Sequence, residues 1–207
     1  MESEILNVFN EHHQPIGTAT REDVHLLGLW HETFHCWFIG KKNGQDILYL
    51  QLRSPMKKDY PNVLDITAAG HLLATESVQD GVREVQEETG IDIAFNDLYS
   101  LGIIPYSITK RDMKDNELAH VYVYRSEYEI KDFHLQSEEV AGISKVAFKD
   151  FTDLWGCKCD TIPSRGFVMN EEKQNFLQKR ISRADFVPHP VSYYEAVIRG
   201  IEKVLSD

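Results

Sequence analysis

Cysteine is scarce in this chain: Cys36, Cys157 and Cys159 are the three in 207 residues. The number is odd, and none has a metal-ligand spacing to a nearby histidine. A disulfide framework and a zinc-finger site are therefore not expected, and a reducing compartment is. Cys157-Lys158-Cys159 reads as two ordinary thiols in a loop rather than a redox pair. Positive charge is also short: 22 Lys and Arg against 33 Asp and Glu give a net charge of -11. A surface of that sign repels phosphate backbones and argues against sequence-independent nucleic-acid binding. A small anionic substrate is still compatible, because local basic residues and a bound metal invert the field inside a pocket. No segment approaches the ~20 apolar residues of a membrane span. Met1-Glu2-Ser3-Glu4 has no basic region followed by an apolar stretch, so no leader is read. The expectation is a cytoplasmic protein with no membrane partner. Repeats, low-complexity segments and an interdomain linker are likewise missing.

Hydrophobic residues make up 42% and charged residues 27%, enough for one well-packed core. Residues 4–9 and 16–19 read as short strands around a polar turn at 10–14. The clearest hairpin joins 33–39 to 46–53 through Lys41-Lys42-Asn43-Gly44-Gln45, which holds the turn dipeptide Asn-Gly. Residues 63–69 read as a strand leading into Gly70. Over 77–89 the apolar positions Val78, Val82, Val85 and Thr89 predict a helix, with Ser77 and Asp80 as a capping box and Gly90 as its stop. Strands are expected at 97–108, 117–125 and 143–148, the last followed by a short acidic turn. Residues 156–190, with Pro163, Pro188 and Pro190, read as irregular, with a helix over 170–181 as an option. Residues 192–205 predict a helix capped by Ser192 and Glu195, with Tyr194, Val197, Ile198, Ile201, Val204 and Leu205 as its stripe. His35 and His120 lie in strand-like runs and read as packing residues.

On the 77–89 helix, Glu84, Glu87 and Glu88 stand at i, i+3 and i+4 and share one face, with the valine stripe roughly opposite. Carboxylates so placed repel, and a hard cation relieves the repulsion; Mg2+ takes such oxygens while keeping waters and bridging to substrate phosphates. A glutamate-rich face by itself is usually just solvated. The flanking residues sharpen the reading. Gly70, five residues, Glu76, then Arg83-Glu84-Val85-Gln86-Glu87-Glu88-Thr89-Gly90-Ile91 resembles the signature of the Nudix hydrolases, and its second half matches at every specified position. One departure is plain. Six residues separate Glu76 from Arg83 where the family pattern has seven, so either Glu76 keeps its role on a shorter turn or Thr75 stands in its place.

The resemblance implies an α+β fold of the α/β/α sandwich kind, a mixed β-sheet flanked by helices. It would run as one domain over 1–207 with a C-terminal helical extension over about 156–207. It also implies that Glu84, Glu87 and Glu88, with the carbonyl of Gly70, hold Mg2+ or Mn2+, and that Arg83 orients a glutamate through a charge-assisted pair. Arg83, Glu84, Glu88 and Glu117 are the expected catalytic residues, with Glu84, Glu88, Glu117 and Glu139 all candidates for general base.

Around residues 4–150 the chain is similar to the Nudix branch that includes isopentenyl-diphosphate isomerase. The motifs are Asp65-Ile66-Thr67-Ala68-Ala69-Gly70-His71 and Arg53-Ser54-Pro55-Met56-Lys57-Lys58-Asp59-Tyr60-Pro61. That similarity implies that Arg53 and Lys57 grip the substrate diphosphate. It also implies a second metal site from His25, His31, His71, Asp115 and Glu117. The isomerase places a cysteine where this chain has Ala69, and alanine transfers no proton. The expected reaction is therefore hydrolysis, attack of a metal-activated water on phosphorus in a small-molecule diphosphate. A non-catalytic nucleotide sensor on the same fold is the alternative, and an isomerase a remote third. Nucleotide sugars, dinucleotides, coenzyme A, thiamine diphosphate and prenyl diphosphates all stay open as substrates. So does the oligomeric state, with a homodimer among the options.

Overall fold

The computed structural model describes residues 4–110, 113–170 and 173–206. In chain order the strands are β1 (Ile5–Phe9), β2 (Pro15–Thr20), β3 (Trp30–Lys42), β4 (Gln45–Arg53), β5 (Leu64–Asp65), β6 (Ala68–His71), β7 (Leu98–Lys110), β8 (Met113–Arg125), β9 (Val140–Ala147), β10 (Ile162–Asn170) and β11 (Lys173–Ile181). The α-helices are α1 (Arg21–Leu27), α2 (Arg83–Thr89), α3 (Phe148–Trp155) and α4 (Val191–Ser206). β3 is the spine. β8 runs parallel along one edge, from Trp30 opposite Asn116 to Ile39 opposite Arg125. The other edge is shared in turn by β1, β6 and β4, all antiparallel. The sheet continues from β4 through β9 and β10 to β11, while β7 flanks β8 and β2 flanks β1.

Burial on both faces explains why β3 shows little polar/apolar alternation. Trp37 and Ile39 pack with Phe151 of α3 and Tyr193, Tyr194 and Val197 of α4. Phe34, Cys36 and Phe38 pack on the opposite face with Val85 of α2, Ile91 and Phe133. The result is the expected mixed sheet between helical layers. Among the described residues, no helix is long and apolar enough to cross a membrane.

Several local expectations are corrected. The helix over 77–89 divides into a 3-10 turn at Val78–Val82 and α2 from Arg83; Asp80 accepts from the Ser77 N–H, as a capping box requires, and from the Ser77 hydroxyl as well, and Gly90 ends α2 in the left-handed region at φ 72°. The acidic turn after β9 is α3. α1 went unread, although Thr20 accepts from the Asp23 N–H at its start and Gly28 closes it with φ 67°. The largest correction lies in the C-terminal stretch. Residues 162–170 and 173–181 form neither irregular chain nor helix but the antiparallel strands β10 and β11 that extend the sheet, so among the described residues beyond 156 α4 is the one α-helix, with a short 3-10 turn at Arg183–Asp185. β11 is an edge strand exposed over most of its length, so its sequence carries no period-2 apolar pattern to read. α4 begins at Val191, which places Ser192 inside the first turn rather than at the cap.

Candidate active site

β6 and α2 build the first half of the site. β6 meets β3 at residues 33–36, and β4 meets it only from Phe38 onward, so the edge of the sheet divides between them. Into that division α2 projects Glu88. Its Oε2 accepts the Ala69 N–H at 3.0 Å and the Gln51 side-chain amide at 3.2 Å. One residue along, Gly70 permits the approach of Glu84: a methyl group at Gly70 would lie 2.2–2.4 Å from the Glu84 carboxylate, so a larger residue cannot be placed without moving it. Burial pushes Glu84 up to about 7 and Glu88 up to about 8, the neighbouring carboxylate adding to the effect on Glu88. Glu87, on the same helix, is half exposed.

Arg83 ties this cluster together. Its Nε and Nη2 hold both oxygens of Glu76, at 2.5 and 3.0 Å. Its Nη1 reaches Glu84 at 2.5 Å and Glu87 at 3.2 Å, and Nη2 also donates to the His71 carbonyl at 3.0 Å. The shortened turn is accommodated: Glu76, not Thr75, meets Arg83, and Glu76 also accepts the Leu73 N–H at 2.8 Å. Arg83 is thus the basic hydrogen-bond partner of Glu84 and Glu87, but among the described residues it makes no hydrogen bond to Glu88.

Arg53 ends β4, and Lys57 lies on the loop that follows it. Arg53 donates to the Tyr60 carbonyl at 3.0 Å, the Asp59 carbonyl at 2.9 Å and Asp65 Oδ2 at 2.9 Å, and so closes the loop from inside. Lys57 is ion-paired with Glu139. Both cations lie near enough to Glu88 to lower its pKa, against the larger effect of burial.

On the other face of β6, His25 of α1, His31 of β3 and His71 of β6 converge, with ring centroids 5.2–5.3 Å apart. His25 Nδ1 faces the Arg21 carbonyl at 2.7 Å and His31 Nδ1 the Leu29 carbonyl at 3.1 Å. A carbonyl only accepts, so each Nδ1 carries the proton and each Nε2 presents a lone pair. Both Nε2 atoms sit 3.6 Å from Asp115 Oδ1, and His31 Nε2 and Asp115 Oδ1 are buried without a hydrogen bond. Burial holds the His31 imidazolium form down to about 3. Burial also raises Asp115 well above the usual carboxylate range, and the adjacent Glu117 charge adds to this. His25, His31 and His71, and likewise His31, Asp115 and Glu117, bring ligand atoms within 4.8 Å of one another.

Glu117 belongs to a second layer that the sequence did not reveal. Its Oε2 accepts from Tyr106 at 2.6 Å and Thr33 at 2.7 Å, with His35 Nε2 at 3.1 Å. Burial alone would raise Glu117, but the His35 contact and the other donors hold it low. His35 Nδ1 meets the Tyr193 hydroxyl at 2.7 Å, and Trp37 Nε1 donates to that hydroxyl at 3.3 Å. His35 is thus a member of a polar network rather than simple packing, and His120 pairs with Glu32 at 2.9 Å. Alternation in β3 carried a weak signal, since His31, Thr33 and His35 share a face with Trp37. Nothing local marked Tyr106 or Tyr193.

The NUDIX domain family profile matches residues 29–164. An uncharacterised Nudix hydrolase of Clostridium acetobutylicum is 38% identical over 202 residues, covering 97% of this chain and 98% of that protein. An isopentenyl-diphosphate Delta-isomerase of Photorhabdus laumondii is 28% identical over 127 residues, covering 61% of this chain and 69% of that protein. In fold, the crystal structure of a MutT protein from Methanosarcina mazei superposes with a TM-score of 0.52 at 18% identity, covering 84% of this chain and 94% of that one. With the profile spanning most of the chain and the clostridial relative matching end to end, the chain belongs to the Nudix hydrolase family.

Proposed function

We propose that this hydrolase cleaves a diphosphate linkage in a small molecule in the cytoplasm, with Mg2+ or Mn2+ held by Glu84, Glu87, Glu88 and the carbonyl of Gly70. The observation that carries the reading is the pair of carboxylates, Glu88 buried and Glu84 partly buried, set against the backbone of β6. Their donors are hard oxygens, and among the described residues Glu88 has no basic hydrogen-bond partner. This is the donor set that suits Mg2+ or Mn2+. When bound, the cation supplies positive charge for the scissile phosphates and lowers the pKa of a water in its shell. Arg83 fixes Glu84 and Glu87 in position. Arg53 and Lys57 offset the charge of the diphosphate. Of the candidate bases, Glu139 is ion-paired with Lys57 and Glu117 already receives Tyr106, Thr33 and His35, which favours Glu84 or Glu88. The test is a panel of diphosphate compounds assayed for phosphate products with Mg2+, with Mn2+ and in excess chelator. Full turnover in chelator would contradict the metal dependence.

The second cluster, His25, His31, His71, Asp115 and Glu117, supports a further cation. Its Nε2 lone pairs, fixed by main-chain carbonyls on Nδ1, suit a borderline transition ion rather than Mg2+. Elemental analysis of protein purified without chelator should find such an ion at a level that His31→Ala reduces at least about tenfold, as loss of a ligand predicts. An equal metal content in both proteins would remove this site.

A further inference from the structure

His189 was not singled out by any pattern in the sequence, and no step of the proposed reaction uses it. It is buried, and it stands between Pro188 and Pro190. Proline restricts the residue before it to extended conformations, so the Pro-His-Pro segment reaches its folded shape with little loss of freedom. The segment is anchored along β5. The Val187 N–H donates to the Leu64 carbonyl at 2.9 Å, Phe186 bridges to Leu64 in parallel, and the Tyr194 hydroxyl donates to the Val187 carbonyl at 2.7 Å. These anchors deliver the His189 ring to Asp65, with Nε2 3.1 Å from Oδ1. Opposite a carboxylate the ring nitrogen is the donor. Nδ1 is buried without a hydrogen bond, so the contact to Asp65 is the side chain's one polar anchor.

Asp65 is fully engaged. Oδ1 accepts His189 and the Ile66 N–H at 2.9 Å, and Oδ2 accepts Arg53 Nη1 at 2.9 Å. Burial pushes the carboxyl up, but His189, Arg53 and the Ile66 N–H outweigh it and hold Asp65 down to about 2. Arg53 in turn engages three of its five N–H donors with Asp65 and the carbonyls of Asp59 and Tyr60. That leaves, among the described residues, one further N–H on each terminal nitrogen for an anion to engage. The chain of contacts runs from the C-terminal segment through a single buried carboxylate to the loop that also carries Lys57.

We propose that His189 is a positioning residue for Arg53: through Asp65 it locks the guanidinium, and with it the 54–61 loop, in the orientation that receives the substrate diphosphate. This rests on the assignment of Arg53 to the diphosphate given above. Without the His189 donor, Asp65 loses one of two side-chain partners and rotates more freely, and Arg53 must be ordered on binding instead of beforehand.

The experiment is calorimetric titration with methylenediphosphonate and Mg2+, below the unfolding range of every variant, alongside steady-state kinetics. His189→Leu, which keeps bulk and removes the donor, should weaken binding about 5- to 10-fold, the size of an ordinary net hydrogen bond because the loss reaches the diphosphate only through Arg53, and raise KM similarly with kcat within about twofold. His189→Gln, whose amide nitrogen replaces Nε2, should stay within about twofold of the parent. Arg53→Lys should weaken binding at least as much as His189→Leu, and the double variant should show no further loss, because both act on one contact. If Arg53→Lys weakens binding while His189→Leu leaves the affinity unchanged and only lowers Tm, the positioning role is overturned and the diphosphate reading stands. If Arg53→Lys has no effect, that assignment of Arg53 fails and the inference falls with it.

Discussion

Burial of Glu88 sets α2 apart from an ordinary solvated glutamate helix. A surface glutamate ionises near its ordinary value of 4.5, whereas burial raises Glu88 to about 8 and Glu84 to about 7. Between those values the folded, metal-free protein binds more protons at these positions than the unfolded chain does. Stability contributed by the protonated forms is therefore present below about 4.5 and is lost as pH rises through 7 to 8. Chemical denaturation of metal-free protein should show unfolding free energy falling over that interval, and saturating Mg2+ should flatten the fall. Glu88→Gln should weaken the metal-free pH dependence and leave Tm equal or higher, since the amide can still accept the Ala69 N–H and carries no charge. The same change should cost at least ~100-fold in turnover, as removal of a group that stabilises transition-state charge does. A lower Tm with near-normal turnover would make Glu88 a structural residue.

The relation of β6 to α2 sets the site, and Gly70 governs their spacing. Gly70→Ala would drive its methyl into the Glu84 carboxylate. The variant should fold, because β6 is short and partly exposed, yet lose at least ~10-fold in turnover through displacement of Glu84, a misplacement effect. Circular dichroism with kinetics checks both halves, and unchanged kcat would show that Glu84 does not need its place against Gly70. The β6–α2 unit was legible in the sequence because its chemistry is local: Gly70, Glu76 and the Arg83–Ile91 run lie within one turn and one helix. The missing residue between Glu76 and Arg83 left Thr75 as an alternative, which only the side-chain geometry of Arg83 decides. Residues 162–181 were not legible, because the exposed edge strand β11 carries no apolar alternation. The His35–Glu117–Tyr193 and Arg53–Asp65–His189 networks were invisible for another reason: each joins partners brought together by strand order and by the packing of α4, which no spacing along the chain encodes.

The molecule as a whole sets an acidic exterior, with a net charge of -11, against local cations at Arg53, Lys57 and Arg83. A surface of that sign disfavours polyanions, while the local cations offset the charge of a small one in the proposed reaction. The position that an isomerase needs for proton transfer at carbon holds Ala69, packed beside the cluster that includes Tyr106 and Tyr193. Isopentenyl and dimethylallyl diphosphates should therefore not interconvert on prolonged incubation, and isomerisation detected by product analysis would reveal another acid/base. The proposed hydrolysis requires the carboxylates of α2 to hold a working cation. The decisive measurement is turnover of a diphosphate substrate by the unmodified protein as free Mg2+ is titrated from excess chelator to saturation. No turnover is expected in chelator, with full recovery on adding Mg2+ or Mn2+; turnover that is undiminished in excess chelator would show that the reaction needs no cation on α2.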